Sequence, residues 1–363
     1  MRDVRAIMHR REPVDGSRYK YGEMFSRVCT VDHIPWPRNV SSYDFGIVFG
    51  DKNPDYKRLL SAGIPYLLVE QDVYTIRNKT ADSTQEREMI ENAACVLFTS
   101  EDHLDILSKL YQMPPARVVH LRPLAQNIEF EPLPKLPGQN IVYAGGIVNW
   151  AARDGLFGYR AYHEVFKRLM ACGWTVHVYP AWKGAERQPE YAAIGCVTHH
   201  HIWQGDIYRE LSQYQAAFHG YAEFAEQYYC YVCRPNKLWE GLGAGIPTFG
   251  YNGGPAASIY HLRWGHHTTS LKMFPSVTKK VLAMEVPDEL RKREVMDNDI
   301  DAFRELVEIA ASAPRKAKPA VKAKPRTVTF QHPTNERMVT VPAHSARRVR
   351  YERGGWQIVT SPK

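Results

Sequence analysis

Short continuous apolar runs alternate with longer segments of mixed polarity along most of the chain. Three such runs are Tyr43–Gly50 (YDFGIVFG), Ile64–Glu70 (IPYLLVE) and Ala94–Ser100 (ACVLFTS). Strands that read as unbroken apolar runs are typical of parallel sheets covered on both faces. The pattern therefore predicts an α/β fold. The other elements predicted in this part of the chain are strands at residues 4–9, 28–34 and 118–121 and helices at residues 21–27, 54–62, 86–93 and 103–111.

A proline-rich segment, Pro132–Gly138 (PLPKLPG), interrupts the alternation, which restarts directly after it. A strand at residues 139–144 leads into the Gly145-Gly146 turn and a helix predicted over Arg153–Cys172. Two such halves joined by a hinge place the carboxyl ends of both sheets on one cleft. We expect doubly wound, Rossmann-like domains at residues 1–134 and 135–265. The later elements predicted in the second half are strands at residues 176–180, 215–220 and 248–250, a strand or turn at residues 197–203, and helices at residues 184–193, 206–213 and 237–244.

The chain changes character after these two halves. Residues 266–311 are predicted to be helical, and residues 312–326 (SAPRKAKPAVKAKPR) form a flexible Ala/Pro/Lys linker. Residues 327–363 predict a small ββαβ module, with its helix at residues 345–353. Residues 312–363 carry twelve Lys/Arg and two Asp/Glu, whereas the other 311 residues carry 35 and 37. The basic charge belongs to the tail, so an acidic partner is to be sought there. The alternatives for the tail are a nucleic-acid clamp that contacts a polyanion, a docking module for a protein acceptor and a solvated appendage that aids solubility.

The stretch from Cys233 to Gly254 (CRPNKLWEGLGAGIPTFGYNGG) contains the most specific motif of the chain. A helix predicted over residues 237–244 begins near Lys237 and is ended by Gly245 in a left-handed conformation. Backbone N–H groups at such a helix start, together with Arg234 and Lys237, favour a phosphate. Glu240 follows Lys237 by three residues and can face the same ligand, where it would accept hydrogen bonds from ribose hydroxyls.

The segment K-L-W-E-G-L-G-A-G-I-P resembles the donor-binding signature of GT-B glycosyltransferases, especially the retaining "group 1" family that uses nucleotide sugars. The resemblance implies two Rossmann-like domains, an acceptor domain followed by a donor domain, with final helices that return to the first domain. It implies a nucleotide-diphosphate sugar as co-substrate, no further cofactor, no metal and retention of configuration. The family pattern is Glu, seven residues, Glu; the second Glu matches Glu240, and Val232 stands in place of the first.

Further residues are assigned by their place after predicted strands or by the resemblance. Asp72 is a candidate for orienting or deprotonating the acceptor, and its alternative is a helix or turn cap. His219 ends a predicted strand beside the donor motif, and its alternative is a core histidine. Arg153 is the nearest match to the family's basic residue for the leaving diphosphate, and its alternative is a solvated helix charge. The complete set of predicted donor-binding residues is Gly145, Gly146, Arg153, Arg234, Asn236, Lys237 and Glu240.

The adjacent His199, His200 and His201 lack the spacing of metal ligands on one face. The six cysteines are scattered, and the first residues contain no apolar signal segment, so a reduced, cytoplasmic protein without a membrane span is expected. The expected acceptor is a macromolecule, either a protein or a modified DNA base. The layout resembles that of phage-encoded transferases. The alternatives are a nucleotide-sugar epimerase and a non-catalytic binding protein whose basic tail carries the function.

Overall fold

A computed structural model describes most of the two predicted halves and three strands of the tail. The residues described are 4–9, 16–34, 40–50, 55–71, 73, 83–155, 157–181, 187–203, 205–222, 235–253, 262–315, 327–331, 338–342 and 357–359.

Two six-stranded sheets, both parallel throughout, form the body. The strands of the first are β1 (Arg5–His9), β2 (Thr30–Ile34), β3 (Phe45–Phe49), β4 (Tyr66–Glu70), β5 (Cys95–Phe98) and β6 (Ala116–Val118), in the order β2-β1-β3-β4-β5-β6. The strands of the second are β7 (Asn140–Gly145), β8 (Thr175–Pro180), β9 (Val197–Thr198), β10 (Ala216–Gly220), β11 (Thr248–Tyr251) and β12 (Gly265–Thr268), in the order β12-β11-β10-β7-β8-β9. This arrangement confirms the predicted fold class of two Rossmann-like domains.

Twelve α-helices are described along these sheets. They are α1 (Gly16–Ser26), α2 (Asp55–Ala62), α3 (Thr84–Asn92), α4 (Glu101–Ser108), α5 (Ala125–Ile128), α6 (His163–Met170), α7 (Gln188–Ala193), α8 (Ile207–Leu211), α9 (Glu240–Ala244), α10 (Phe274–Leu282), α11 (Asp288–Arg293) and α12 (Ile300–Ser312). Below, the first lobe means the first sheet with α1–α5 and α12, and the second lobe means the second sheet with α6–α11. None of the described helices combines the length and apolar composition that spanning a bilayer requires.

Helix α12 follows the second lobe in the chain but packs on the first sheet. Its buried residues Phe303, Leu306 and Val307 join a core cluster that also contains residues of α1 and of β1, β3, β4 and β5. The ring of Phe303 lies 5.0 Å from that of Phe25. The apolar face of the amphipathic helix α12 is therefore buried against the first lobe.

Replacing Phe303 by Leu is expected to lower the stability of the first lobe by about 1–2 kcal/mol, because the smaller side chain leaves part of the ring's volume empty. Thermal unfolding followed by circular dichroism measures the change. Glu308→Ala, on the exposed side of the same helix, is the control and should melt like the parent protein. Equal melting of F303L and the parent would contradict the packing role of α12.

Three strands of the tail form a separate antiparallel sheet. They are β13 (Thr327–Gln331), β14 (Met338–Pro342) and β15 (Gln357–Val359), in the order β14-β13-β15. The hairpin predicted between the first two is present. The helix predicted at residues 345–353 and most of the linker lie outside the described residues.

Several predicted boundaries were wrong for identifiable reasons. Helix α1 begins at Gly16, so Lys20 belongs to this helix, whereas the helix predicted here begins only at residue 21. The helix predicted from Arg153 begins only at His163. Between them the chain forms a 3-10 turn at Gly158–Arg160, and a Cβ at Gly158 would lie only 1.7 Å from the carbonyl oxygen of Arg153. A fold this tight requires glycine and is incompatible with a continuous helix.

Candidate functional site

The second sheet reverses its strand order between β7 and β10. From β7 the chain continues to β8 and β9 on one side, whereas β10, β11 and β12 lie on the other. β10 pairs with β7 only through Ala216 and Ala217, opposite Ile141 and Val142, so the carboxyl ends of the two strands have no shared ladder. Ligands of doubly wound sheets bind at such a point, beyond the carboxyl ends of the strands.

Two buried tyrosines link the ends of these strands. The hydroxyl of Tyr143 donates to the carbonyl oxygen of Gly146 at 2.7 Å, and that of Tyr162 donates to the carbonyl oxygen of Gly220 at 3.0 Å. The two hydroxyl oxygens are 3.3 Å apart. Burial raises the pKa of both groups, so they remain neutral donors. The pair positions the Gly145-Gly146 turn relative to the end of β10.

Two cationic side chains lie against the Gly145-Gly146 turn. Gly145 has φ +152°, and a Cβ there would lie 2.7 Å from Cδ and 3.0 Å from Nζ of Lys237. A Cβ at Gly146 would lie 2.8 Å from Nη1 of Arg160. Because neither position carries a side chain, both cations can approach the backbone closely. A turn of this kind suits an anion that contacts backbone and side chains together.

Arg160, and not Arg153, is the arginine that the fold brings to this turn. Arg153 lies in the preceding segment, where its guanidinium packs 5.0 Å from the ring centroid of Trp150 and donates to the carbonyl oxygen of Trp150. The guanidinium of Arg160 lies 5.1 Å from the ring centroid of Tyr159. The difference follows from the glycines that stop residues 153–162 from forming a helix.

The segment that contains Lys237 is shorter as an α-helix than expected. Asn236–Trp239 form a 3-10 turn, and the α-helix α9 covers only Glu240–Ala244. Gly245 has φ 69° and ends the helix in the left-handed conformation, as predicted. A five-residue helix has only a small dipole, so positive charge here comes from side chains and less from the helix than the sequence suggested.

Small residues let α9 lie directly on its neighbours. A Cβ at Gly241 would lie 2.2 Å from Oγ1 of Thr248 on β11, and one at Gly243 would lie 2.4 Å from Cε1 of Tyr208 on α8. The close approach buries Glu240, which is only 6% exposed. The glycines of the motif therefore place a carboxyl group where water is largely excluded.

Glu240 is surrounded by cations from both lobes. Burial raises the pKa of its carboxyl to about 7, against the opposing attraction of Lys237 and of Lys20 from α1. Burial lowers the pKa of Lys20 to about 7, against the attraction of Glu240. The Nζ of Lys20 donates to Oδ1 of Asn236 at 2.5 Å and to the carbonyl oxygen of Leu121 at 3.1 Å. Lys20 thus connects the first lobe to the Asn236–Trp239 turn of the second.

His219 lies fully buried at the end of β10. Burial lowers its pKa to about 3, with further contributions from the charge of Lys237 and from His267. His219 and His267 align with Gly250 across three neighbouring strands. A neutral imidazole at this position can exchange hydrogen bonds but is a weak base at neutral pH.

Two predicted site residues, Asp72 and Arg234, lie outside the described residues. The strand that precedes Asp72 ends at Glu70, which is fully buried. A Cβ at Gly50, at the end of β3, would lie 2.1 Å from Oε2 of Glu70. The side chain of Glu70 therefore lies where the strands of the first sheet have their carboxyl ends. This position is near the point between β1 and β3 at which the strand order of the first sheet reverses.

The lobes meet on several aromatic contacts around this site. Tyr159 and Tyr221 of the second lobe join a core cluster of the first, and Tyr19 of α1 lies 5.6 Å from the ring of Trp203. The Asn236–Trp239 turn faces this junction, because Asn236 contacts Lys20. A surface cavity of about 420 Å³, lined by Arg263, Pro287, Glu289, Leu290 and Arg293, shares none of these residues.

One member of the histidine triplet, His199, packs against other aromatic side chains. The Nε2 atom of His199 forms a 2.9 Å hydrogen bond with Nδ1 of His177. The ring of His199 also stacks on that of Tyr179, with the ring centroids 4.2 Å apart. The described residues contain no group of three or more His, Cys, Asp or Glu side chains placed to hold a metal ion.

Sequence reasoning did not select Lys20 or Arg160. Lys20 was visible only as one of several basic residues after the first strand, and Arg160 as a charge inside a predicted helix. The one feature in the sequence that the two residues share is that each follows the first strand of its Rossmann-like half. That signal names a region and does not single out a residue within it.

Comparison with known proteins identifies the architecture. Neither the family models nor the curated proteins contain a match to this chain. Among solved structures, sucrose-phosphate synthase from Thermosynechococcus elongatus matches with a TM-score of 0.55 at 12% identity, over 85% of this chain and 96% of that one. A glycosyltransferase involved in avilamycin A biosynthesis matches with a TM-score of 0.51 at 12% identity, over 86% and 100%. A trehalose-6-phosphate synthase matches with a TM-score of 0.51 at 13% identity, over 75% and 73%. These neighbours are GT-B glycosyltransferases, and the chain has their two-domain fold.

Proposed function

We propose that this protein is a glycosyltransferase that moves a sugar from a nucleotide-diphosphate sugar to an acceptor hydroxyl. The observation that carries the proposal is the placement of Lys237 and Arg160 against the Gly145-Gly146 turn, with the buried Glu240 interacting electrostatically with Lys237, at the reversal point of the second sheet. The GT-B architecture shared with the synthases named above supports it.

In this proposal the diphosphate lies against the Gly145-Gly146 turn. Lys237 and Arg160 neutralise the charge that develops on the leaving nucleoside diphosphate as the bond to the sugar breaks. Glu240, as a carboxylate, accepts hydrogen bonds from the ribose hydroxyls. These contacts strengthen in a site with little water, because charges interact more strongly at low dielectric.

The transferred sugar then faces the junction between the lobes. His219 offers it a neutral hydrogen-bonding group, and Glu70 marks the edge of the first sheet from which the acceptor is approached. Asp72, two residues later in the chain, is proposed to orient or deprotonate the acceptor hydroxyl. We propose a macromolecular acceptor, a protein or a modified DNA base, as the sequence suggested. The basic tail supports this proposal, because a charge of that density binds polyanions in a salt-dependent manner.

A thermal-shift panel tests the donor site. UDP, GDP, ADP and dTDP, each with its glucose conjugate, are added to the full chain, and we expect one nucleotide series to raise the melting temperature. A ligand at 100 times its dissociation constant stabilises the folded state by about 2.7 kcal/mol. The series that binds is then incubated with candidate acceptors, whose masses are measured.

Three outcomes separate the alternatives. Mass gain of one sugar on an acceptor supports transfer. Isomerisation of the donor sugar without an acceptor indicates an epimerase and contradicts the proposal. Absence of stabilisation by every nucleotide in the panel favours a non-catalytic binding protein whose tail carries the function.

A further inference from the structure

A buried lysine of the first lobe completes the surroundings of the proposed ribose-binding carboxylate. Lys20 is 1% exposed and lies in the middle of α1. Its ammonium group donates to Leu121 of its own lobe and to Asn236 of the second. A buried ammonium requires hydrogen-bond acceptors or a nearby negative charge. Lys20 has two neutral acceptors and is also attracted by Glu240.

The groups that face Lys20 and Glu240 come from three elements: α8, β7 and the Asn236–Trp239 turn. Nζ of Lys20 lies 5.6 Å from the ring centroid of Tyr208 on α8. Glu240 interacts electrostatically with Lys237, with Tyr208 and with Tyr143 on β7. The pKa values of both tyrosines are raised, so they contribute no charge near neutral pH. The ionisation of Glu240 is therefore governed by its burial and by the two lysines.

We propose that Lys20 is a positioning residue of the donor site: its charge, supplied by the first lobe, favours the carboxylate form of Glu240, so that near and below neutral pH the ribose is held more firmly while the lobes are in contact. The inference rests on the proposed function for the role of the ribose. Lys237 is part of the same segment as Glu240 and accompanies it in every arrangement of the lobes. Lys20 is the cation that lobe separation would remove.

Lys20→Met tests the proposal, because methionine keeps most of the apolar stem and removes the charge. Affinity for the nucleoside diphosphate that stabilises the parent protein is measured by calorimetry from pH 6 to pH 9. In the parent protein we expect affinity to rise with pH through about 7, as Glu240 loses its proton. In K20M the pKa of Glu240 rises, because an attractive charge is lost.

A shift of about one unit lowers affinity at pH 6.5 about tenfold. At pH 9 the two proteins should agree within about twofold, because Lys20 is itself uncharged there. Lys20→Arg, which stays charged throughout this pH range, should keep the midpoint at or below that of the parent protein. Lys135→Met is the matched control: Lys135 donates to the carbonyl oxygens of Ser212 and Tyr214, and its loss should leave the midpoint unchanged.

The ionisation of Glu240 is also measured without any ligand. The side-chain carboxyl carbon of Glu240 is titrated by NMR and assigned by its absence in Glu240→Gln. A higher midpoint in K20M supports the inference even if no nucleotide binds, which separates its failure from that of the proposed function. An unchanged titration, or an equal loss of affinity at every pH, overturns it and assigns Lys20 a purely structural role.

Discussion

Glu240→Gln and Lys237→Met should each weaken nucleoside diphosphate binding by about 2–4 kcal/mol, or roughly 30- to 1000-fold, while the protein remains folded. This magnitude is typical of removing the protein group from a buried, hydrogen-bonded contact with a charge. The contacts proposed here are those of Lys237 with the diphosphate and of the Glu240 carboxylate with the ribose. Glu240 is almost fully buried, and Lys237 is half-buried against the Gly145-Gly146 turn, so bulk water screens both interactions less than it screens those of exposed charges. Calorimetric titration at pH 8, where Glu240 is ionised, measures the loss.

The second lobe contains a matched control for this pair. Glu164 and Lys167 have the same spacing of three residues and form a 3.0 Å ion pair, but about half of each side chain is exposed. Exposed pairs contribute little, so Glu164→Gln and Lys167→Met should leave binding unchanged. Parent-like affinity in both Glu240→Gln and Lys237→Met would remove the donor site from this position.

Gly145→Ala should reduce nucleotide affinity about tenfold or more, by displacing Lys237. An added Cβ lies 2.7 Å from Cδ of Lys237, a distance at which the lysine side chain has to move. The backbone at φ +152° adds strain for any residue with a Cβ, of order 1–3 kcal/mol. Binding is measured by calorimetry and stability by thermal unfolding.

Gly138→Ala separates these two effects. Gly138 also has a positive φ, +86°, but an added Cβ would meet no atom within 4 Å. Both variants should lose stability, and only Gly145→Ala should lose affinity. If the two variants lose affinity equally, or neither does, contact between Lys237 and the turn has no role in binding.

The first sheet was predictable because its central strands are buried on both faces. β3, β4 and β5 read as continuous apolar runs and are buried at every residue. β12 was missed because its sequence, GHHT, carries no such signal, and it forms by pairing with β11 along four residues. An edge strand of this kind depends on its neighbour more than on its own side chains.

The candidate site was predictable in part, along the same lines. Gly245, Lys237 and Glu240 lie within one short motif, so their relation is local and is visible in the order of residues. Arg160 lies against Gly146 only because glycine-containing turns replace the expected helix before it. Its exact approach depends on a tight turn between Arg153 and Gly158, which helical periodicity does not report.

Local order in the chain determined the alternation of strands and helices, the left-handed stop at Gly245 and the pairing of a lysine with a glutamate three residues later. These features depend on backbone conformation and on side-chain period, which neighbouring residues dictate. The protonation of Glu240 has a different origin. It depends on the exclusion of water around α9 and on the charge of Lys20. Lys20, in α1, contacts Asn236, which lies 216 positions later in the chain. Electrostatic energy depends on distance in space and on burial, and only the folded chain supplies both.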